Sequence, residues 1–369
     1  GYSAQKKVNL TGSVASVNSD VLAARPIHNA VTGLQGSLPG VSITNTTSRP
    51  GDNNTSIRIR GIGTLNNSNP LILIDGVEGN INTLNPSDIE SVSVLKDAAS
   101  SAIYGSRAAN GVILVTTKKA NKDMTPTITY SGFFALQTPT ALPEMCDAVE
   151  YLTLLKEATA NVGKPWGYTQ EDVDAVINRT DLNNRANVNW VDELYRSTAP
   201  QHGHNVSLNG GSKSLGYYLS YGNLSTSGLF VGNGYHASRN NLRVKVTTTM
   251  LDRVKIDANF GYTDVDNWTP ASSDSSSDGL FYKALRSSPL TPVRFTDGGW
   301  GYGGSSANPI AIIYDGGFIN YKARETNLSL GGEMEILKGF TAKIQYATRL
   351  KDVLRKQQSN KIQHYIPDT

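Results

Sequence analysis

Two groups of residues have the types and spacing that ligand or cofactor chemistry would need. His202 and His204 are two positions apart, so on an extended strand both imidazoles lie on one face and could hold a metal ion. No Asp, Glu or Cys lies at ligand spacing beside them, which favours a surface histidine pair. Gly299, Gly301 and Gly304 match the G-x-G-x-x-G pattern of dinucleotide-binding loops, but they follow no strand and open no helix. We therefore predict neither a metal site nor a cofactor.

The sequence gives no support for nucleophilic catalysis. Its single cysteine, Cys146, has no histidine partner nearby in sequence and cannot close an intrachain disulfide. The phosphate-binding G-x-x-x-x-G-K-[ST], the zinc-protease H-E-x-x-H and the nucleophile G-x-S-x-G patterns are all absent from the sequence. We predict that the protein is not an enzyme, and an envelope hydrolase is the weakest of the functional hypotheses.

Charge and composition exclude two further classes. The 34 Lys and Arg residues nearly balance 31 Asp and Glu, and the net charge of +3 forms no basic stripe, so we predict no nucleic-acid partner. Only 18% of the 369 residues are charged, and Ser, Thr, Asn and Gly supply the remaining polarity, as is typical of β-rich secreted or envelope proteins. The longest strongly apolar run, Leu71 to Ile74, is too short for a membrane-spanning helix.

The elements that position these residues divide the chain in two. Over the first ~120 residues, short apolar runs alternate with Gly, Pro and Asn, which predicts a small mixed α/β domain. The runs are Val41–Ile43, Ile57–Ile59, Leu71–Ile74, Val92–Leu95 and Val112–Thr117. Helices are expected near Asn29–Gln35 and near Asp97–Tyr104, with Gly105 ending the second.

After Thr125 the pattern changes to segments in which apolar and polar residues alternate, which predicts seven strands with one apolar face. The clearest are close to the ~10 residues that a tilted strand needs to cross a bilayer. The segments are Thr127–Gln137, Asn205–Asn209, Leu215–Leu224, Asn241–Met250, Val254–Thr263, Asn327–Ile336 and Phe340–Leu350. In the fifth segment, the residues predicted to face lipid are Val254, Ile256, Phe260 and Tyr262, and those predicted to face the lumen are Lys255, Asp257 and Asn259.

Connection lengths distinguish a membrane barrel from a soluble sandwich. Three links are tight, near residues 210–214, 251–253 and 337–339, whereas two are long, at about residues 138–201 and 264–324. Tight periplasmic turns alternating with long external loops are typical of an outer-membrane barrel. We therefore expect the tight turns at one rim, the long loops at the other, and residues 1–120 entering from the tight-turn side.

The first long loop is predicted to be partly helical. Asp147 with Glu150, and Thr169 with Asp172, have the spacing of N-terminal helix caps, and Asn189–Tyr195 adds a third turn. A structured loop of this length is usually an interaction surface.

Four stretches of the first domain carry a resemblance to a known family. They are Ile57–Gly63 (IRIRGIG), Asn66–Val77 (NNSNPLILIDGV), Asn85–Val92 (NPSDIESV) and Leu95–Lys118 (LKDAASSAIYGSRAANGVILVTTK). These stretches resemble the plug of TonB-dependent outer-membrane transporters, and the last resembles the SusC/RagA-like branch of Bacteroidetes. The resemblance implies a plug domain over residues 1–120, the N-terminal part of an outer-membrane β-barrel over residues 121–369, and localisation in the cell outer membrane.

The fold class that follows is a mixed α/β plug domain followed by antiparallel transmembrane β-barrel strands. About seven of an expected ~22 strands lie in this sequence. A seven-stranded sheet would leave two unpaired edges in lipid, so we expect the remaining strands to be supplied from outside these 369 residues. The segment that contacts TonB in the family is likewise expected to lie outside them.

The resemblance also implies a function and partners. The function is TonB-dependent import of oligosaccharides or oligopeptides across the bacterial outer membrane, with the plug gating the barrel lumen. The partners would be a SusD-like surface lipoprotein above the barrel, TonB for energy coupling, the glycan or peptide ligand, and outer-membrane lipid. The alternative is a non-transporting glycan-binding β protein of the cell envelope.

Two kinds of site residue follow from the resemblance. Arg60 and Lys96 match basic plug positions that pair with barrel-wall glutamates in related transporters, although solvated charges are the simpler interpretation. Three plug loops are expected to face the external cavity, where amide and charged side chains would contact solute, although turns favour the same residue types. Their candidate residues are Arg49, Asp52, Asn53, Asn54, Asn66, Asn67, Asn69 and Asn80.

Overall fold

The coordinates are those of a computed structural model of the chain. They describe residues 14–19, 29–45, 50–51, 55–61, 68–251, 253–272, 279–303, 307–337 and 339–366. Within these ranges, no helix combines the length and the apolar character that crossing a membrane would require.

The plug is built on a mixed sheet. Its strands are β1 (Val14–Asn18), β4 (Leu71–Ile74), β5 (Val77–Glu78), β6 (Ile89–Leu95) and β7 (Val112–Thr117). In the described part of the chain they lie in the order β1-β6-β7-β4-β5, with β4 and β7 parallel and the other neighbours antiparallel. A separate antiparallel hairpin, β2 (Val41–Asn45) with β3 (Thr55–Ile59), packs Ile43 and Ile57 against this sheet.

Short helices complete the plug. Helix α1 (Ala30–Gly33) is capped by Asn29, whose side chain accepts the Val31 N–H, and Val31 is fully buried against the sheet. Helix α2 (Ala98–Ser101) continues into a 3-10 segment over Ala102–Ala108. The second predicted helix is therefore shorter as an α-helix, and Gly105, expected to end it, makes a kink at φ 69°.

The barrel wall contains seven long antiparallel strands within the described ranges. They are β8 (Met124–Gln137), β9 (Ala199–Gly211), β10 (Leu215–Ser227), β11 (His236–Met250), β12 (Val254–Pro270), β14 (Gly317–Leu337) and β15 (Phe340–Ser359). Each predicted segment lies inside one of these strands, so the seven-strand prediction is confirmed. Strands β13 (Trp300–Gly301) and β16 (His364–Tyr365) form a short parallel pair outside the wall.

The predicted facing of the fifth wall segment is also confirmed. Asn259 and Thr263 on β12 hydrogen-bond to the plug, so their face is the lumen face. Lys255 and Asp257 share this face by strand alternation. Ile256 and Phe260 point the other way, into a band of apolar residues that includes Leu328 and Leu330 across from them.

Several strands extend beyond the predicted bounds. Strand β12 continues to Pro270 and β14 begins at Gly317, so the second long loop covers residues 271–316 rather than 264–324. In the added stretch the outward residues are charged and paired across strands, Asp264 with Arg324 at 3.2 Å and Asp266 with Lys322 at 3.0 Å. Backbone pairing therefore continues after the apolar alternation ends. The strands predicted from that alternation were too short for this reason.

The tight and long connections lie at opposite rims, as predicted. Residues 212–214, 251–253 and 338–339 connect strands at one rim, and residues 138–198, 228–235 and 271–316 connect them at the other. The chain leaves the plug at the tight-turn rim, where the N–H of Asn121 donates to the Asn209 side chain and the N–H of Asp123 donates to the Ser212 carbonyl.

The long loops form one folded layer at their rim of the wall, which we call the external layer after its predicted position. The first holds α3 (Ala148–Asn161), α4 (Gln170–Asn178) and α5 (Trp190–Leu194), and the second holds α6 (Leu280–Arg286) and α7 (Pro309–Asp315). The predicted caps at Asp147 and Thr169 are complete capping boxes. Trp190 is buried among residues of both loops, and its indole N–H donates to the Ser288 carbonyl at 2.8 Å.

Candidate functional site at the plug–wall interface

The β4–β5 turn presents a carboxylate to the wall. Asp75 and Gly76 form the two-residue turn with φ values of 49° and 85°, the left-handed conformation for which Asp-Gly is favoured. Asp75 accepts the Thr117 N–H at 2.9 Å and the Thr117 hydroxyl at 2.7 Å. These two bonds fix the carboxylate at the edge of the plug sheet.

Basic residues of strand β11 meet this carboxylate. Arg243 and Lys245 are two residues apart on the strand, so both side chains lie on the same face and point into the lumen. The Lys245 ammonium lies 2.9 Å from Asp75 Oδ2, and the Arg243 guanidinium lies 4.0 Å from the same oxygen. The Asn259 amide on β12 adds a hydrogen bond to Asp75 at 3.2 Å.

A second plug carboxylate is buried beside the first. Asp88 ends the 3-10 turn Pro86–Asp88 and is 2% exposed. It accepts hydrogen bonds from the Tyr218 hydroxyl at 2.9 Å and from the Ser220 hydroxyl at 2.6 Å. Arg243 Nε lies 3.5 Å from its other oxygen, so the guanidinium stands between both carboxylates. We call Asp75, Asp88, Arg243 and Lys245 the four-charge cluster.

The four-charge cluster is electrically balanced. Burial alone would raise the pKa of Asp75, but the Lys245 ammonium, the Thr117 N–H and the Arg243 guanidinium together lower it below the usual carboxyl range. Two carboxylates face two cations, so the cluster carries no formal net charge near neutral pH. Removing one member would leave a buried charge without its partner, which typically costs ~3–5 kcal/mol.

Amide contacts continue the interface toward the long-loop rim of the wall. The Asn85 amide donates to Asn205 on β9 at 2.7 Å. Gly222 on β10 makes room for it, because a Cβ there would lie 2.2 Å from the Asn85 nitrogen. Farther out, Arg239 and Asn241 donate to the carbonyls of Asn82 and Thr83, at 3.1 and 2.8 Å. The wall thus holds the plug by polar contacts along residues 75–88.

The two basic plug residues identified from the resemblance, Arg60 and Lys96, lie beside other residues of the plug. Arg60 forms an ion pair with Asp97 at 2.6 Å, and both side chains are partly exposed. Lys96 lies beside Gly40, where a Cβ would stand 3.8 Å from its ammonium nitrogen. Their pairing with wall glutamates stays a prediction. The observed four-charge cluster has the opposite arrangement, with acids on the plug and bases on the wall.

Two of the predicted loop residues can be located. The Asn69 side chain accepts a hydrogen bond from Arg58 at 2.6 Å, and the Asn80 side chain accepts the Asn82 N–H at 3.0 Å. Both bonds are local to the plug. The other six candidates lie outside the described residues: Arg49, Asp52, Asn53, Asn54, Asn66 and Asn67.

The histidine pair lies on the opposite face of the wall. Asn205 points to the plug, so His202 and His204 point outward, with ring centroids 5.5 Å apart. The Tyr130 hydroxyl lies 2.9 Å from His204 Nδ1. In the part of the chain that the structure describes, no three His, Cys, Asp or Glu side chains form a group that could hold a metal ion. Gly301 lies in β13, and Gly304 lies outside the described residues.

The chain is similar in sequence to a known protein family. Residues 6–112 match the TonB-dependent Receptor Plug Domain. The chain is 32% identical over 327 residues to the TonB-dependent receptor P26 of Formosa agariphila, covering 84% of this chain and 30% of that protein. It is 39% identical over 240 residues to the TonB-dependent receptor SusC of Bacteroides thetaiotaomicron, covering 62% of this chain and 22% of that protein. The chain therefore spans less than a third of the length of these relatives.

A solved structure shows the same fold. The RagAB peptide importer in its open-open state superposes with a TM-score of 0.80 over 100% of this chain and 44% of that one, at 24% identity. A plug docked inside an antiparallel wall, with these relatives, defines an outer-membrane protein of the TonB-dependent receptor class. Within that class the chain is similar to SusC in sequence and to the RagAB importer in fold. The relatives named are receptors and transporters rather than enzymes.

Proposed function

We propose that this chain is the plug and the first wall strands of a TonB-driven importer of oligosaccharides or oligopeptides. The four-charge cluster carries the proposal. It ties the plug to β10, β11 and β12 by groups that water can also solvate, so the plug can separate from the wall without exposing a large apolar surface. A solute then passes between plug and wall once these contacts open. This arrangement favours a transporter over a non-transporting glycan-binding protein.

We propose that the external layer receives the SusD-like lipoprotein. The layer has its own apolar core, which gives its surface a fixed shape. Its helical part also exposes large apolar side chains, on α3, on α4 and after each of these helices, that a partner would cover. They are Leu154, Val162, Ile177 and Leu182. TonB is expected to act from the opposite, tight-turn rim.

We further propose that the plug loops around residues 49–54 and 79–82 face the incoming solute. The Gly51 carbonyl accepts a hydrogen bond at 2.9 Å from Asn267, near the external end of β12, which supports this position for the first loop. Arg239 holds the second loop at a similar height on β11. The domain boundary near residue 120 is proposed between the end of β7 at Thr117 and the start of β8 at Met124.

A reversible cross-link tests the proposal. Cys146 is exposed, so it is first replaced by Ser. Cysteines at Asn85 and Asn205, whose amides are 2.7 Å apart, are then bridged with a short bis-methanethiosulfonate reagent in cells that express the transporter. We expect TonB-dependent uptake of labelled oligosaccharide or oligopeptide to stop, and to return when dithiothreitol cleaves the bridge.

The matched control places the same bridge within the wall. Asn223 on β10 and Asn240 on β11 are also joined amide to amide, at 2.8 Å. Their cross-link leaves the plug free, so uptake should continue. Uptake that continues with the plug bridged to the wall would contradict the proposed opening at this interface, and the absence of any TonB-dependent uptake in the uncross-linked protein would contradict the import function. Mass spectrometry of ligand that copurifies with the protein identifies the solute class.

A further inference from the structure

A cavity with both apolar and polar lining separates the plug from one part of the wall. It has a volume of about 520 Å³ and lies between the plug turn at Asn85–Ser87 and strands β8 to β11. This volume is within the range that small-molecule sites usually have. Hydroxyl groups of Thr129, Ser131 and Ser207 line its wall side.

The side chains with a permanent charge that line this cavity in the described ranges are basic. Lys118 of the plug and Arg239 of the wall both line it, and its lining within the described ranges includes no Asp or Glu. Arg239 is 8% exposed. Its Nη1 donates to the Asn82 carbonyl at 3.1 Å, whereas its buried Nε has no hydrogen-bond partner among the described residues. A guanidinium carries five N–H donors, so most of its capacity is unused here.

Arg243, four residues along the same strand, provides the contrast. It also points into the lumen and is equally buried, yet it lies within 4.0 Å of the two carboxylates of the four-charge cluster. A buried cation without an anion is costly. Arg243 meets that requirement with two carboxylates, whereas Arg239 forms no ion pair with the residues that the structure describes.

We propose that the cavity binds an oxyanion, a carboxylate or sulfate group carried by the imported solute. The inference rests on the proposed import function and narrows its substrate class to acidic solutes. The planar guanidinium can bind either group through two parallel hydrogen bonds, and the hydroxyls supply further donors. Phe133 lies over Gly203, where a Cβ would be 2.5 Å from the ring, and offers an apolar surface to the body of the solute.

Anomalous diffraction provides the test. Crystals of the transporter purified whole from outer membranes are soaked in selenate, which mimics sulfate, or in 4-bromobenzoate, which carries a carboxylate. We expect an anomalous peak within hydrogen-bonding distance of the Arg239 guanidinium for one or both probes, and the probe that binds identifies the group. The absence of a peak from both would overturn the inference, whatever the variants do.

Variants then assign the binding to Arg239. In Arg239→Gln the peak should disappear, and in solution the affinity measured calorimetrically for the same probe should fall roughly ten-fold or more. Arg239→Lys keeps the positive charge but loses the two parallel N–H donors of the guanidinium, so it should bind the probe with intermediate affinity. Arg324→Gln, an outward residue paired with Asp264, is the matched control and should bind as the parent does.

Two outcomes separate this inference from the proposed function. A peak or an affinity that persists unchanged in Arg239→Gln contradicts the anion site. If the plug–wall cross-link stops uptake but neither probe binds, the import function stands and the anion site is wrong. If either probe binds but the cross-link has no effect on uptake, the site is present and the proposed opening between plug and wall is wrong; if either probe binds but no TonB-dependent uptake is measured at all, the import proposal fails.

Discussion

The Lys245 ammonium on the barrel wall lies 2.9 Å from the Asp75 carboxylate on the plug. This contact joins the β4–β5 turn to β11, and Arg243 extends it to the second plug carboxylate, Asp88. Both plug acids are therefore tied electrostatically to the same wall strand, β11.

Replacing Asp75 by Asn should weaken plug docking by up to ~3–5 kcal/mol, because it leaves the largely buried Lys245 ammonium beside a neutral group. Asn tolerates the left-handed backbone at this position, so the turn itself should persist. The measurement is the urea dependence of the mobility of a spin label at Ser87, in a background without Cys146. Glu78→Gln breaks the exposed pair with Arg107 and is the control, expected within ~0.5 kcal/mol of the parent. Equal effects of the two substitutions would refute this role for Asp75.

Docking should also weaken in acid. The pKa of Asp75 is lower in the folded protein than in the unfolded chain, so its contribution to stability is complete above the ordinary carboxyl pKa of about 4. That contribution is lost as the pH falls through the lowered pKa. The Ser87 spin label should therefore become mobile at lower urea at pH 3 than at pH 7. In Asp75→Asn this pH dependence should be smaller, and an unchanged dependence would show that other groups cause it.

Gly222→Ala should disturb docking without changing any charge. The added methyl group would lie 2.2 Å from the Asn85 amide nitrogen, so the hydrogen bond to Asn205 must break or shift. The double variant Gly222→Ala with Asn85→Ala should relieve the crowding, which the same urea titration would detect. Gly234→Ala is the control, because no atom of the described residues beyond its chain neighbours lies within 4 Å of the added Cβ. A Gly222→Ala protein that docks as tightly as the Gly234→Ala protein would disprove the close packing.

Trp190 should hold the two external loops together. Trp190→Phe removes the hydrogen bond to Ser288 and should destabilise the layer by about 1 kcal/mol, whereas Trp190→Ala opens a cavity and should cost ~3–5 kcal/mol. Limited proteolysis of the intact protein should then cut the loops sooner in Trp190→Ala. Leu154→Ala, at an exposed position, should leave the rate near that of the parent. Equal cleavage of Trp190→Ala and Leu154→Ala would mean that the loops do not share a core.

Sequence patterns predicted the local parts of this structure well. Alternation identified all seven wall strands, and the spacing of Asp147 with Glu150 predicted a helix cap that is present. The ends of β12 and β14 were missed, because Asp264 and Arg324 satisfy each other on the outer face where apolar alternation stops.

The contacts between plug and wall were harder to predict from the sequence. Asp75 and Asp88 lie in the stretches that resemble the family's plug, and Arg243 and Lys245 lie two residues apart on a strand of alternating polarity. These positions were the only indication of the interface that the sequence offered. Nothing local indicates which acid meets which base across more than 150 residues, because that choice depends on how the plug sits in the wall. Arg60 illustrates the same limit, since its observed partner, Asp97, comes from the plug itself.

The central claim is that the plug separates from β11 and its neighbours when TonB drives import. The most direct test is the distance between spin labels at Ser87 on the plug and Asn240 on the outer face of β11, measured by pulsed electron paramagnetic resonance in outer membranes. With solute present and TonB energised, we predict a longer and broader distance distribution than in the same membranes without TonB. An identical, narrow distribution in both samples during measured uptake would contradict the account.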